Sequence, residues 1–297
     1  MNRIKDQIRC GAAYRLGLTG KGIGVAVLDT GIFLHRDFDS RVTGFADMVN
    51  GKNFAYDDCG HGTHICGIIG GSGRMSGGRY SGIAPGCNLI MVKVLDRKGN
   101  GYSSDVLAGI SWVLERKEQL GIRILNISVG ACSKRGMSEN SALVKGVNRA
   151  WDAGLVVVVA AGNNGPRTMS ITTPGISRKV ITVGCSDDDR EVLVGGNRMV
   201  DYSGRGPTAA CICKPDLVAP GCSVVSCSSR ADKYTIKSGT SMSTPIVSGA
   251  VALLLERFPD MSNKDVKLRL RESSVDIGLP RNQQGWGLLD VGKMLER

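Results

Sequence analysis

Ile23-Gly24-Val25-Ala26-Val27-Leu28-Asp29-Thr30-Gly31 runs from an unbroken apolar stretch straight into an acid and a glycine. Residues 23–28 show no polar alternation, the pattern of a strand buried on both faces of a sheet. Four more apolar, β-rich runs follow at 89–95, 122–129, 155–161 and 180–183, each bounded by Gly, Asp, Asn or Pro. Between them, residues 61–70, 104–118 and 138–153 carry apolar side chains three and four apart, as one face of a helix does. This alternation predicts an α/β fold of three layers, with a mostly parallel central sheet and helices on both faces. In such a sheet the working groups stand outside the carboxyl ends of the strands, and Asp29 stands at one of those ends.

Two further helices are predicted over 241–257, stopped by Pro259, and over 263–272, after Ser262 as an N-cap. No linker, repeat or low-complexity tract interrupts the chain, so residues 1–297 read as a single domain. A folded chain of this length exposes about 12,000 Å² of the roughly 45,000 Å² of its unfolded form, enough burial to need no staples. Hydrophobic residues at 42% and charged residues at 22% exclude a disordered tail, a coiled coil and a collagen-like repeat. The 41 glycines with only 5% aromatics fit many tight βα connections.

The net charge of +11 raises nucleic acid or a membrane surface as partners. The basic residues are scattered, however, with no run of five and no interleaved aromatic platform, so a solvated basic surface without nucleic-acid or membrane partners is expected. Charges at Arg3, Lys5, Asp6, Arg9 and Arg15 break up any signal-peptide core, which needs about 7–15 apolar residues. The longest apolar runs are also far short of the roughly 20 residues of a membrane span. A soluble, cytoplasmic protein with its ten cysteines reduced is the expectation.

Asp29-Thr30-Gly31 alone decides little, since a turn acid or an aspartic protease would carry it too. Gly60-His61-Gly62-Thr63-His64 holds two of the three histidines in the chain. Their spacing resembles a metal pair, but apart from Cys66 no further ligand stands at helical spacing. The strand 155–161 runs into Gly162-Asn163-Asn164-Gly165-Pro166, leaving an amide side chain at its carboxyl end. Ser238-Gly239-Thr240-Ser241-Met242-Ser243-Thr244-Pro245 precedes a long apolar run, which puts Ser241 at or near a helix start, where a serine by itself reads as an N-cap.

Together, Asp, His and Ser in this chain order set a pattern distinct from those of chymotrypsin and the α/β-hydrolases. Asp29-Thr30-Gly31, His61-Gly62-Thr63-His64, Ala161-Gly162-Asn163 and the segment from Gly239 to Pro245 resemble, in order and context, the four signature segments of subtilisin-like serine proteases. Gly82-Ile83-Ala84-Pro85, Lys93-Val94-Leu95 and Gly285-Trp286-Gly287 look like core segments of the same family, and the resemblance covers about residues 14 to 291.

The resemblance implies a serine endopeptidase with Ser241 as nucleophile, His61 as general base and then acid, and Asp29 fixing the imidazole tautomer. The Asn163 side chain and the Ser241 backbone N–H would form the oxyanion hole. A protein or peptide substrate would add as an antiparallel strand between Gly99, Asn100, Gly101 and Tyr102 on one side and Ser128, Val129 and Gly130 on the other. Ala161, Gly162 and Thr172 would wall the P1 pocket, and a cis Thr173-Pro174 bond is expected beside it. Asp57 and Asp58 are candidates for favouring a basic P2 residue. No cofactor is required for catalysis and no catalytic metal is expected.

Several positions depart from the family pattern. With 28 residues before Asp29, no long propeptide is expected, as in leaderless intracellular relatives. The loop 71–80 lacks the asparagines with which many relatives hold structural calcium, leaving Asp37 as the matching ligand near Arg74 and Arg79. Ser243 replaces a common alanine, a change expected to be harmless. Cys66, one turn beyond His61, is a candidate for thiol sensitivity but is expected to be buried and inert. Cys211, Cys213, Cys222 and Cys227 lack zinc-ribbon spacing. The rival readings are a silent binding or scaffold protein on the same fold, and a nucleic-acid-binding protein.

Overall fold

The computed structural model describes residues 1–130 and 139–296. Helices α1 (Asn2–Gln7) and α2 (Gly11–Arg15) lead into strands β1 (Gly24–Asp29) and β2 (Val42–Asp47) and helix α3 (His61–Gly70). Strand β3 (Asn88–Lys93), α4 (Ser103–Arg116), β4 (Ile122–Ile127), α5 (Ala142–Asp152), β5 (Val156–Ala160) and β6 (Ile181–Cys185) continue the alternation. The chain then forms a short hairpin, β7 (Val192–Val194) and β8 (Asn197–Met199), strand β9 (Leu217–Ala219), and a second hairpin, β10 (Val224–Cys227) and β11 (Tyr234–Lys237). Helices α6 (Thr240–Arg257), α7 (Asn263–Ser273), α8 (Arg281–Gln284) and α9 (Val291–Met294) complete it.

Seven strands form one sheet in the order β2-β3-β1-β4-β5-β6-β9, every neighbouring pair parallel. This is the expected α/β architecture. The period-2 geometry of β3 shows the two covered faces. Leu89 and Met91 abut Gly70 and Gly62 of α3, whereas Val92 and the following Val94 abut Gly109 of α4. Helix α6 packs beside α3 and over β4, β5, β6 and β9, and α5 packs on α4. All residues of α6 from Met242 to Leu255 are buried, so this helix is apolar all round, as a helix enclosed by its own domain must be. One core cluster runs from Met1 to Leu295, and the chain exposes 12430 Å².

Element ends shift by a few residues from the predicted ones, and Ser138, the expected start of α5, lies outside the described residues. The cap prediction holds for α7, where the Ser262 and Asp265 side chains form a reciprocal capping box. Ser241 stands at the helix start as expected, as the second residue of α6 and not its cap, which is Gly239. Strands β2 and β9 and both hairpins have no counterpart among the predicted elements. Strand β2 is only half-buried, and β9 has three residues, so neither offers a long apolar run. The expected cis Thr173-Pro174 bond is present.

Candidate active site

Asp29 ends β1 at the carboxyl edge of the sheet, with its side chain fully buried. Its Oδ1 accepts the His61 Nδ1–H at 2.7 Å and the Thr30 backbone N–H at 2.8 Å. His61 is the first residue of α3. The approach of α3 to the end of β1 requires glycine twice. Gly31 has φ 119°, and a Cβ there would collide with the Tyr56 carbonyl; a Cβ on Gly62 would collide with the Gly31 carbonyl.

Burial by itself would depress the His61 imidazole, but the charge and hydrogen bond of Asp29 outweigh it and hold its pKa above the ordinary histidine value. Asp57 acts in the same sense and Lys237 in the opposite one. With Nδ1–H committed to Asp29, Nε2 carries the lone pair that receives a proton. The second histidine of the motif has a different part. His64 is buried and donates from Nε2 to the carbonyls of Val224 and Thr235 at 3.1 and 3.2 Å. Burial pushes its pKa down to about 3, so it is a neutral structural histidine.

Ser241 lies at the N-terminus of α6, where unpaired backbone N–H groups and the helix dipole favour developing negative charge. Its hydroxyl donates to the Ser128 carbonyl at 2.7 Å, on the expected substrate segment. Asn163 accepts at Oδ1 from the Thr240 N–H and Oγ1–H, both at 3.0 Å. Thr240 thereby holds the acceptor end of the amide and leaves its NH₂ end as the donor.

The expected substrate segments converge. Gly99, Asn100, Gly101 and Tyr102 form one wall of a groove of about 210 Å³, and Val129 and Gly130 form the other. Leu95, Val106, Ile127 and Leu143 add apolar lining. Tyr102 is 79% exposed at the rim. A larger hollow of about 690 Å³ lies between the first two helices and the C-terminal residues, and it holds none of the candidate catalytic groups. Thr172 is buried, with its N–H and Oγ1 both on the Ala161 carbonyl. Its side chain occupies the space that a Cβ on Gly130 or on Gly162 would enter, so it fills the gap between those two backbones.

The acids before His61 are engaged within the protein, Asp57 on both oxygens and Asp58, 39% exposed, through one. Asp57 takes hydrogen bonds on both oxygens from within its own loop, from Thr30 and from Thr63. Asp58 pairs at 2.8 Å with Lys93, a fully buried ammonium that also donates to the Thr30 and Leu95 carbonyls at 2.7 Å each. Between this pair of acids and His61 stands Cys59, half-buried, with its thiol pushed up by burial and by Asp57 and Asp29.

Asp37 does not offer calcium a fit. Its Oδ1 accepts the Met75 N–H at 2.9 Å, and its Oδ2 accepts the Tyr234 hydroxyl at 2.7 Å and the Cys227 thiol at 3.7 Å. Hydrogens therefore already point at the carboxylate, and the neighbouring ligand atoms come from His35 and Cys227, whereas calcium takes six to eight oxygens. Neither arginine turns to it: Arg74 lies 3.5 Å from Asp39, and Arg79 sits over the Tyr80 ring. Cys227 and Cys213 turn to different partners, Asp37 and the Arg281 carbonyl. The nine described cysteines are all free thiols, with Cys66 buried.

Lys93, Thr240 and Lys237 are functional candidates that sequence reading passed over. A charge inside the apolar run 89–95 is the signal for Lys93. For Lys237, only the pairing of β10 with β11 brings the side chain toward His61.

A buried carboxylate–imidazole pair at a parallel strand end and a serine at a helix N-terminus are the groups that a serine-type peptidase uses. The Peptidase_S8 model of the Subtilase family matches residues 20–287, and the chain belongs to that family. Serine protease AprX of Bacillus subtilis is 43% identical over 290 residues, which cover 92% of this chain and 65% of AprX. Subtilisin Savinase of Lederbergia lenta is 34% identical over 286 residues, covering 96% of this chain and 95% of that protein. Among solved structures, Sphericase superposes with a TM-score of 0.77 at 31% identity, covering 92% of this chain and 93% of its own. A cold-adapted subtilisin-like serine proteinase gives 0.75 at 29%, covering 92% and 90%.

Proposed function

We propose that this chain is a serine endopeptidase that cleaves proteins or peptides through Asp29, His61 and Ser241. The observation that carries the reading is the 2.7 Å Asp29–His61 hydrogen bond at the end of β1, in a chain of the Subtilase family. A substrate strand between Gly99–Tyr102 and Ser128–Gly130 takes the Ser128 carbonyl with its own backbone N–H, which releases the Ser241 hydroxyl toward His61. His61 Nε2 accepts the hydroxyl proton as Oγ attacks the scissile carbonyl. The oxyanion receives hydrogen bonds from Asn163 Nδ2 and the Ser241 N–H. The imidazolium, stabilised by Asp29, passes its proton to the leaving amine, and water then releases the acyl group by the reverse path.

These steps call on protein groups alone and need no cofactor. Thr172, set between Gly130 and Gly162, leaves room for a small P1 side chain. The internally engaged Asp57 and Asp58 give little support to a basic P2 preference. No described helix is long and apolar enough to cross a membrane. The free thiols, including exposed Cys211 and Cys213, suit a reducing compartment such as the cytoplasm.

A fluorophosphonate probe with intact-mass readout tests the reading without a guessed substrate. One adduct on wild type, absent from Ser241→Ala, is expected. Folded wild type that takes no adduct would instead support a silent binding protein on this fold.

A further inference from the structure

Asp57 touches none of the reacting groups, yet three segments of the site are tied together through it. Its Oδ1 accepts from Thr30 Oγ1 at 2.9 Å, the Cys59 N–H at 3.1 Å and the Gly60 N–H at 2.7 Å. Its Oδ2 accepts from the Thr63 N–H at 2.9 Å and the Thr63 hydroxyl at 2.6 Å. Five donors outnumber the roughly four lone-pair sites of a carboxylate, so three share Oδ1 and none of its accepting capacity is left over.

The partners are placed to matter. Thr30 follows Asp29 in the chain, and its hydroxyl, while donating to Asp57, accepts the Gly62 N–H at 2.9 Å. Gly60 and Gly62 flank His61. Thr63 Oγ1 in turn accepts the Phe33 N–H at 2.9 Å, tying α3 to the loop beyond β1. The N-cap of α3 is Gly60, which has no side chain, so Asp57 supplies from outside the helix the acceptor that a Ser or Asp would normally give its first turn. The backbone runs alongside: Asp57 bridges Gly31 in antiparallel fashion, and the Ile32 N–H donates to Tyr56 at 3.0 Å.

From this geometry we propose that Asp57 is a positioning residue for catalysis, holding the end of β1 and the start of α3 in the one register that aligns Asp29 with His61. The proposal rests on the triad assignment above. Asparagine is a harsh replacement despite its equal size, because its NH₂ would face N–H and O–H donors where the carboxylate accepts.

The test compares wild type with Asp57→Asn, using thermal unfolding to confirm folding. The positioning role predicts kcat lowered about 10- to 100-fold at unchanged KM. It also predicts that the NMR resonance of the proton shared by Asp29 and His61 shifts or broadens. The charged groups acting on His61 are Asp29, Asp57 and Lys237. Removing one negative charge and loosening the other leaves the imidazole neutral to lower pH, so the acid limb of kcat/KM moves down.

If Asp57→Asn does not fold, Thr30→Val cuts the same tie with Asp57 still in place and is expected to show the same pattern, with Thr30→Ser restoring wild-type values. Folded Asp57→Asn with wild-type kcat and an unmoved resonance overturns the proposal. A rise in KM at constant kcat also overturns it, by making Asp57 a substrate contact. The resonance is read in the free protein without turnover, so wild type that takes no fluorophosphonate would sink the triad reading and still leave the Asp57 tie to be judged.

Discussion

Single side chains here divide into those that react and those that hold, and burial with hydrogen bonding tells them apart better than residue type. Two histidines three positions apart show it. His61 keeps 22% side-chain exposure and an acid partner, whereas His64 is sealed against two carbonyls. Ser243 is a residue that neither reacts nor holds. Its hydroxyl is buried and has no hydrogen-bond partner among the described residues. A buried unsatisfied hydroxyl costs about 1–3 kcal/mol, so the serine is less innocuous than the sequence suggests. Ser243→Ala is expected to stabilise the fold by about 1 kcal/mol, read as a higher urea midpoint at unchanged m-value.

Among the elements, α3 and the β10–β11 hairpin form the joint on which the site depends. The hairpin ends four residues before Ser241, and His64 fastens α3 to both of its strands. That fastening requires a neutral ring. In the unfolded chain His64 titrates near about 6.5, and in the fold near about 3. The unfolded state therefore binds the proton first as pH falls, so this contribution is full above the unfolded value and is lost on acidification toward the folded one. The loss approaches about 1.4 kcal/mol per pH unit. His61, with its pKa raised by Asp29, titrates in the opposite sense, contributing below its unfolded pKa and losing that contribution as pH rises. Urea unfolding of wild type and His64→Gln at a series of pH values separates the two. The variant, whose amide NH₂ donates to the same carbonyls, should lack the His64 share of the acid slope; equal slopes would reject the assignment.

At the scale of the whole molecule the sheet brings together segments far apart in the chain. Asp29 and His61 come from the β1–α3 region, Ser128–Gly130 follow β4, Asn163 follows β5, and Ser241 opens α6. The proposed P1 side of the cleft is likewise composite, with Thr172 placed between the segments after β4 and β5. Wild type is therefore expected to cleave after Ala or Ser in preference to Phe, and Thr172→Gly to raise kcat/KM for a P1 Phe peptide about tenfold or more. An unaltered ratio of the two substrates in the variant would remove Thr172 from the pocket.

The run of residues 23–31 and its four companions carried the fold class, because a strand buried on both faces must be apolar on both, and a covered parallel sheet is built from such strands. The proposed triad and Asn163 were legible for a related reason: each stands where a strand ends or a helix begins, at a glycine-marked turn that a sequence displays. The parts that stayed hidden are those fixed by contact. Nothing in Asp57-Asp58 distinguishes five internal donors and a buried lysine from a pair of solvated acids. Likewise, nothing in Asp37 shows that Met75, Tyr234 and Cys227 take up its oxygens. Lys93 lies 35 residues from Asp58, and Met75, Cys227 and Tyr234 lie 38, 190 and 197 residues from Asp37; only packing decides which donors reach a carboxylate before a cation or substrate does. Local pattern thus determined the strands, and four segments taken together the candidate reactive groups, while the tertiary structure decided their partners, their charge states and the width of the cleft.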